Sequence, residues 1–135
     1  MGDEERVVIA GEEGIVTARQ VARTMARDHG FSLVDQSRIA TAVSELARNV
    51  VRYATNGQGE ATIRLLRLDC GTSIEVVVHD DGPGIPDISL ALSDGFTSGP
   101  GLGMGLPGTR RLMDDFAIES SAEIGTTVTI RKWRR

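Results

Sequence analysis

Five glycines fall at or near alternate positions between Gly99 and Gly108, and Thr109-Arg110-Arg111 opens a helical stretch directly after them. Glycine loses more backbone freedom on folding than any other residue, so this density is costly in a plain loop. A glycine-rich segment entering a helix presents unpaired N–H groups and the positive end of the helix dipole, a combination that binds phosphate. Gly103 to Gly108 also spells G-x-G-x-x-G. That dinucleotide fingerprint requires a buried strand before it, and Ser93-Asp94-Gly95-Phe96-Thr97-Ser98 is not one, so the Rossmann reading is rejected.

The remainder of the chain reads as a scaffold for this segment. Arg6 to Ala10 predicts a short strand. From about Glu13 to His29, Ile15, Ala18, Val21, Ala22 and Met25 recur at helical spacing, with Gly30 as a stop. Asp35 or Ser37 is the expected cap of a second helix, which carries Ile39, Val43, Leu46, Val50 and Ala54 and ends near Asn56-Gly57. Two strands follow, about Glu60–Asp69 and Ser73–Asp80, with Cys70-Gly71-Thr72 as the turn. A third helix is expected over about Met104 to Asp115. A closing hairpin, Ala117–Ser121 with Thr126–Trp133, turns around Glu123-Ile124-Gly125. This β-α-α-β-β-α-β-β order predicts a two-layer α/β (α+β) sandwich, a mixed sheet with helices on one face.

At 135 residues the chain fits one domain, spanning residues 1–135. The 40% hydrophobic content supports a folded core, while 4% aromatic argues against an aromatic platform for nucleic acid. Fifteen Lys+Arg against 19 Asp+Glu leave a net charge of −4, so no global field draws nucleic acid or anionic membrane. The basic run Arg131-Lys132-Trp133-Arg134-Arg135 is expected to be a solvated tail. Cys70 is the one cysteine, which excludes an internal disulfide and a zinc cluster; no long apolar run or leader is legible, and a cytoplasmic setting is expected. Lys132 is the one lysine. A Walker A loop and a Gly-loop kinase both need a lysine at the phosphates, so neither can be built. Any nucleotide phosphates must be held by backbone N–H groups, arginine or a metal.

Two further constellations carry chemistry. Glu45 and Asn49 are four residues apart on the second helix, hence about 40° apart around it and ~6 Å along it. A carboxylate beside a neutral amide suits a base next to an oxygen ligand for Mg²⁺. Taken alone, the commoner reading is a surface glutamate paired with Arg48 or Arg52. Asp80-Asp81-Gly82-Pro83-Gly84-Ile85 follows the run Val76-Val77-Val78. Glycines just past a buried strand admit a flat ligand, and a fixed carboxylate can accept from an exocyclic amine; an ordinary Asp-Gly-Pro turn is the competing reading.

In this order, E-x-x-x-N, D-x-G-x-G, the glycine-rich entry to a helix, then Gly125-Thr126, the chain resembles the GHKL ATPase/kinase superfamily from about Arg6 to Trp133. Ser44–Asn49, Asp81–Ile88 and Gly101–Gly108, with the run at 110–116, are similar to the RsbT-type serine/threonine-protein kinases, the switch kinases of the stressosome. The resemblance implies a Bergerat fold holding Mg-ATP between helices and sheet. It implies that Asn49 ligates Mg²⁺, Glu45 acts as base or orients the attacking hydroxyl, and Asp80 bonds the adenine amine. Gly82 and Gly84 would let the base lie close, Gly101, Gly103 and Gly105 would wrap the phosphates, and Thr126 would support Asp80.

Further expectations follow from the resemblance. The stretch from Pro86 to Gly99 is short and lacks Arg and Lys, so a basic lid residue is absent; Arg48, Arg52, Arg110 or a partner would substitute. Length argues against a sensor histidine kinase or a multidomain member. The acceptor is then a serine on a STAS-domain antagonist (RsbS/RsbR-like), and the released kinase activates an RsbU-like phosphatase, with a homodimer among the assemblies allowed. The alternatives are an anti-sigma factor kinase (RsbW/SpoIIAB-like) and a non-catalytic, ATP-gated binding module.

Overall fold

The computed structural model describes residues 3–82, 105–121 and 123–135. The first strand, β1 (Glu4–Ile9), buries Val7 and Ile9 and leaves the residues between them exposed, the period-2 pattern of a sheet covered on one side. Helices α1 (Glu12–Asp28) and α2 (Leu33–Tyr53) follow, then a 3₁₀ turn at Thr55–Gly57. Strands β2 (Gly59–Leu68) and β3 (Gly71–Asp80) form a hairpin. Helix α3 (Gly105–Leu112) leads into the hairpin β4 (Asp115–Ser121) and β5 (Gly125–Trp133).

The sheet runs β1-β2-β3-β5-β4, and every pairing is antiparallel. The element order is the expected one, and helices and sheet form two packed layers. The expected mixed pairing is not seen, for a topological reason. β4 runs parallel to β3 but lies two places away, and β5 fills the gap antiparallel to both.

Register sorts the side chains by face. Ala61, Ile63 and Leu65 of β2 stand opposite Val78, Val76 and Ile74 of β3, and Val76 and Val78 stand opposite Ile130 and Val128 of β5. All are buried with Ile15, Ala18, Ala22, Ile39, Val43, Leu46 and Val50 of the helices in one core. On the other face one row of register partners reads Glu4, Arg64, Glu75, Arg131, Asp115, alternating in charge across all five strands. Glu75 is only 2% exposed, and each of its oxygens is taken by an arginine, Arg64 on Oε1 at 2.6 Å and Arg131 on Oε2 at 2.8 Å.

Three local expectations are corrected. α2 is capped by Ser32, whose hydroxyl accepts from the Asp35 N–H at 3.1 Å, rather than by Asp35 or Ser37. Its first residues Leu33 and Val34 are exposed, so the apolar period starts later than the helix does. The β2–β3 connection is the two residues Asp69-Cys70, since Gly71 already pairs with Leu68. The basic run is no solvated tail. Arg131, Lys132 and Trp133 lie in β5, and Lys132, 6% exposed, donates to the Leu112 carbonyl at 3.1 Å and sits 3.6 Å from Asp114 and 3.8 Å from Asp35. Strand alternation puts Lys132 on the helix face, and its ammonium is satisfied there by ends of α2 and α3.

Candidate nucleotide site

The end of β3 is a crowded junction. Asp80 lies between Gly59 on β2 and Thr126 on β5. A Cβ on Gly59 would meet the Val50 side chain at 2.8 Å and the Asp80 Cβ at 3.2 Å. A Cβ on Gly82 would meet the Ala54 Cα at 2.8 Å and the Tyr53 carbonyl at 3.2 Å. These two bare positions bring the C-terminal end of α2 against the end of β3, which larger residues would hold apart. Gly125 has φ +78° and a Cβ there would lie 2.0 Å from the Asp80 carbonyl oxygen, so neither its conformation nor the space admits a side chain.

Asp80 is fixed by its own loop. Its Oδ1 accepts from the Gly82 N–H at 2.7 Å, which leaves Oδ2 as the remaining acceptor. Burial raises its pKa, against the Gly82 hydrogen bond and the neighbouring His79, while the Asp81 charge raises it further. Across the sheet Thr126 is bonded through its hydroxyl to Ser120 at 2.8 Å. His79 takes the other face, with Nδ1 2.7 Å from the Thr127 hydroxyl and Nε2 3.0 Å from Asp81.

Glu45 and Asn49 lie on α2, Asn49 immediately before the Val50 whose side chain reaches this junction. Glu45 is 7% exposed, so the surface reading of it is wrong, but its pairing with an arginine is right: Arg48 Nη1 donates to Oε1 at 2.5 Å. Oε2 is buried with no hydrogen-bond partner among the described residues. A buried polar atom without a partner costs about 1–3 kcal/mol; among the described residues the Ser73 hydroxyl is the other such atom. Asn49 is half-buried. Lys132 is remote: it lies six positions along β5 from Thr126, roughly 20 Å of strand.

The structure thus brings Asp80, Gly82 and Thr126 together at the end of β3 beside Val50, Tyr53 and Ala54 of α2; Asn49 and Glu45 lie one and five residues before Val50 on that helix, and Gly105 opens α3, which packs against α2. Gly84, Gly101 and Gly103 lie outside the described residues. Sequence reasoning missed Gly59 and Gly125 as packing positions, and it missed that the Glu45 carboxylate paired with Arg48 is buried. Each glycine opens a strand beside Asp80, a signal readable only once the register is known. The donor set is made of carboxylate, amide, hydroxyl and backbone groups, which suits a nucleotide bound without lysine. No group of three or more His, Cys, Asp or Glu that could hold a metal occurs among the described residues, so a cation here would rest on amide, substrate oxygens and water, in the manner of Mg²⁺.

Residues 9–132 match the model of the histidine kinase-like ATPase domain family, in keeping with a two-layer sheet-and-helix scaffold that carries a carboxylate at one strand end. The chain is 46% identical to the serine/threonine-protein kinase RsbT of Bacillus subtilis (strain 168) over 135 residues, the whole of both chains. It is also 37% identical to an anti-sigma F factor of Bacillus licheniformis over 99 residues, 70% of this chain and 66% of that one. Among solved structures, the RsbU and RsbW domains of Rv1364c from Mycobacterium tuberculosis superpose with a TM-score of 0.69 at 21% identity, over 97% of this chain and 32% of that one. The catalytic domain of the histidine kinase ThkA gives 0.53 at 19% identity over 96% of each, and both likenesses speak for the fold. The chain belongs to the histidine kinase-like ATPase family and, within it, to the RsbT serine/threonine-protein kinases.

Proposed function

We propose that this kinase transfers the γ-phosphoryl group of ATP to a serine on a STAS-domain antagonist of the RsbS/RsbR kind. The released kinase then activates an RsbU-like phosphatase, all in the cytoplasm. The observation that carries the reading is Glu45: a buried carboxylate with one oxygen engaged and one unmet, one helical turn from Asn49. Glu45 Oε2 accepts the serine proton as the serine oxygen bonds to the γ-phosphorus; the bond to the β-phosphate oxygen breaks, and ADP leaves with that electron pair. Asn49 is the chain's ligand for Mg²⁺, which when bound offsets phosphate charge. Asp80 accepts from the adenine amine, Thr126 and Gly82 brace Asp80, and Gly84, Gly101, Gly103 and Gly105 approach base and phosphates through backbone alone. Positioning and charge neutralisation dominate phosphoryl transfer, so a site without lysine is sufficient.

The test is transfer of label from γ-labelled ATP to a STAS protein encoded by the same genome. Glu45→Ala should abolish transfer while a fluorescent ATP analogue still binds, and Asp80→Asn should abolish analogue binding. Undiminished transfer by Glu45→Ala would refute the assigned chemistry and leave an ATP-gated binding module.

A second reading, an anti-sigma factor kinase of the RsbW/SpoIIAB kind, draws on the 37% identity to an anti-sigma F factor. A sigma factor retained stoichiometrically in a pull-down would favour it over the first.

A further inference from the structure

Arg48 follows Glu45 by three residues on α2, and its side chain is about one-third exposed, so the guanidinium reaches in from solvent over the carboxylate. We infer that Arg48 is a positioning residue for phosphoryl transfer: it pins Glu45 Oε1 and so reserves Oε2 for the reacting hydroxyl. The inference rests on the reading of Glu45 given above.

A buried carboxylate needs a counter-charge and hydrogen-bond donors to offset its loss of water. Arginine supplies both through one planar group. The manner of pairing also matters. A guanidinium can clamp both oxygens of a carboxylate, as a fork on a fork. Arg48 engages one, and the other is left buried and unmet. Because the two residues share one helical turn, the geometry is set by α2 itself and needs no ordering when substrate arrives. The competing role for this side chain, a direct phosphate contact, would draw the guanidinium away from Glu45 and leave that carboxylate with neither oxygen engaged.

The test compares Arg48→Met, which keeps the stem and removes the charge, with Arg48→Lys, alone and in a Glu45→Gln background. Measured are kcat and KM for ATP in transfer to the STAS protein, the Kd values of fluorescent ATP and ADP analogues, and the melting temperature. Arg48→Met should lower kcat by about 10- to 100-fold while KM and both Kd values stay within about threefold. Arg48→Lys should recover most of the loss, and it keeps the comparison usable if the methionine variant melts near the assay temperature. In the Glu45→Gln background, Arg48→Met should cost less than about threefold more, because the group it acts through is already gone. The inference is overturned if Arg48→Met keeps the wild-type kcat, if its loss multiplies on top of that of Glu45→Gln, or if ATP-analogue binding weakens by about tenfold with the ADP analogue spared. Wild-type transfer by Glu45→Gln alone would instead bring down the underlying reading of Glu45, which separates the two failures.

Discussion

Two buried glutamates on opposite sides of the sheet show how alike side chains come to serve different ends. Glu75, on the face away from the helices, has both oxygens taken by arginines from β2 and β5. Glu45, on α2, has one oxygen taken and the other unmet among the described residues. The first is a closed account of charge and hydrogen bonds that ties three strands together. The second is open, and the structure tolerates the cost. Burial and charge therefore do not separate the two glutamates; the unmet acceptor does, and it is the observation behind the role proposed for Glu45.

That contrast can be broken, and the largest expected effect is on chemistry. Glu45→Gln should reduce phosphoryl transfer by about 10²- to 10⁴-fold, the contribution of a placed general base, while the melting temperature holds or rises because a costly buried charge is removed. A large drop in melting temperature would put Glu45 in the same class as Glu75. Gly125→Ala comes next. It forces a side chain onto the Asp80 carbonyl at a positive φ, and should cost about 2–4 kcal/mol in denaturant unfolding together with ATP-analogue affinity. Glu75→Gln should cost about 1–3 kcal/mol, because its arginines are half-exposed and can be rehydrated, and should leave analogue binding unchanged. Loss of binding in that variant would mean the outer face is coupled to the site.

The smallest effect is a pH dependence at Asp80. Its folded pKa is raised chiefly by burial, so the native state holds a proton that the unfolded chain releases. Stability from this group is therefore fully present below the ordinary aspartate range and is lost as pH rises through the raised value. Asp80→Asn keeps an acceptor for the Gly82 N–H and lacks the charge. Unfolding curves of the two proteins should converge at acid pH, with the variant gaining on the wild type toward neutrality. Divergence in the opposite direction would mean that the Gly82 hydrogen bond outweighs burial.

The local patterns of the sequence carried most of this architecture. Periodicity located both long helices and all five strands because each buries one face of a regular element, as Ile39, Val43, Leu46 and Val50 do. Glu45 and Asn49 flank that stripe in sequence, but the burial of Glu45 was not legible, since the commoner reading left it on the surface. What stayed hidden is non-local. The row from Glu4 to Asp115 exists only after four registers are set, and Lys132 looked solvated because its partners Asp35 and Asp114 are distant in sequence or on the far side of a turn. The start of α2 was misplaced because Leu33 and Val34 face solvent, where hydrophobic spacing reports nothing. The mixed sheet failed on order, since no local pattern says that β5 inserts between β3 and β4.

That insertion has a consequence for how the protein is born. A ribosome releases β3 and Asp80 well before the β4–β5 hairpin, yet β5 is the strand that must sit directly against β3. A nascent chain halted before Gly125 would carry the Asp80 carboxylate on a bare sheet edge, without the neighbour that walls it in. Translation order thus delays assembly of the nucleotide site until almost the whole domain has emerged, and a half-made kinase has nothing with which to spend ATP.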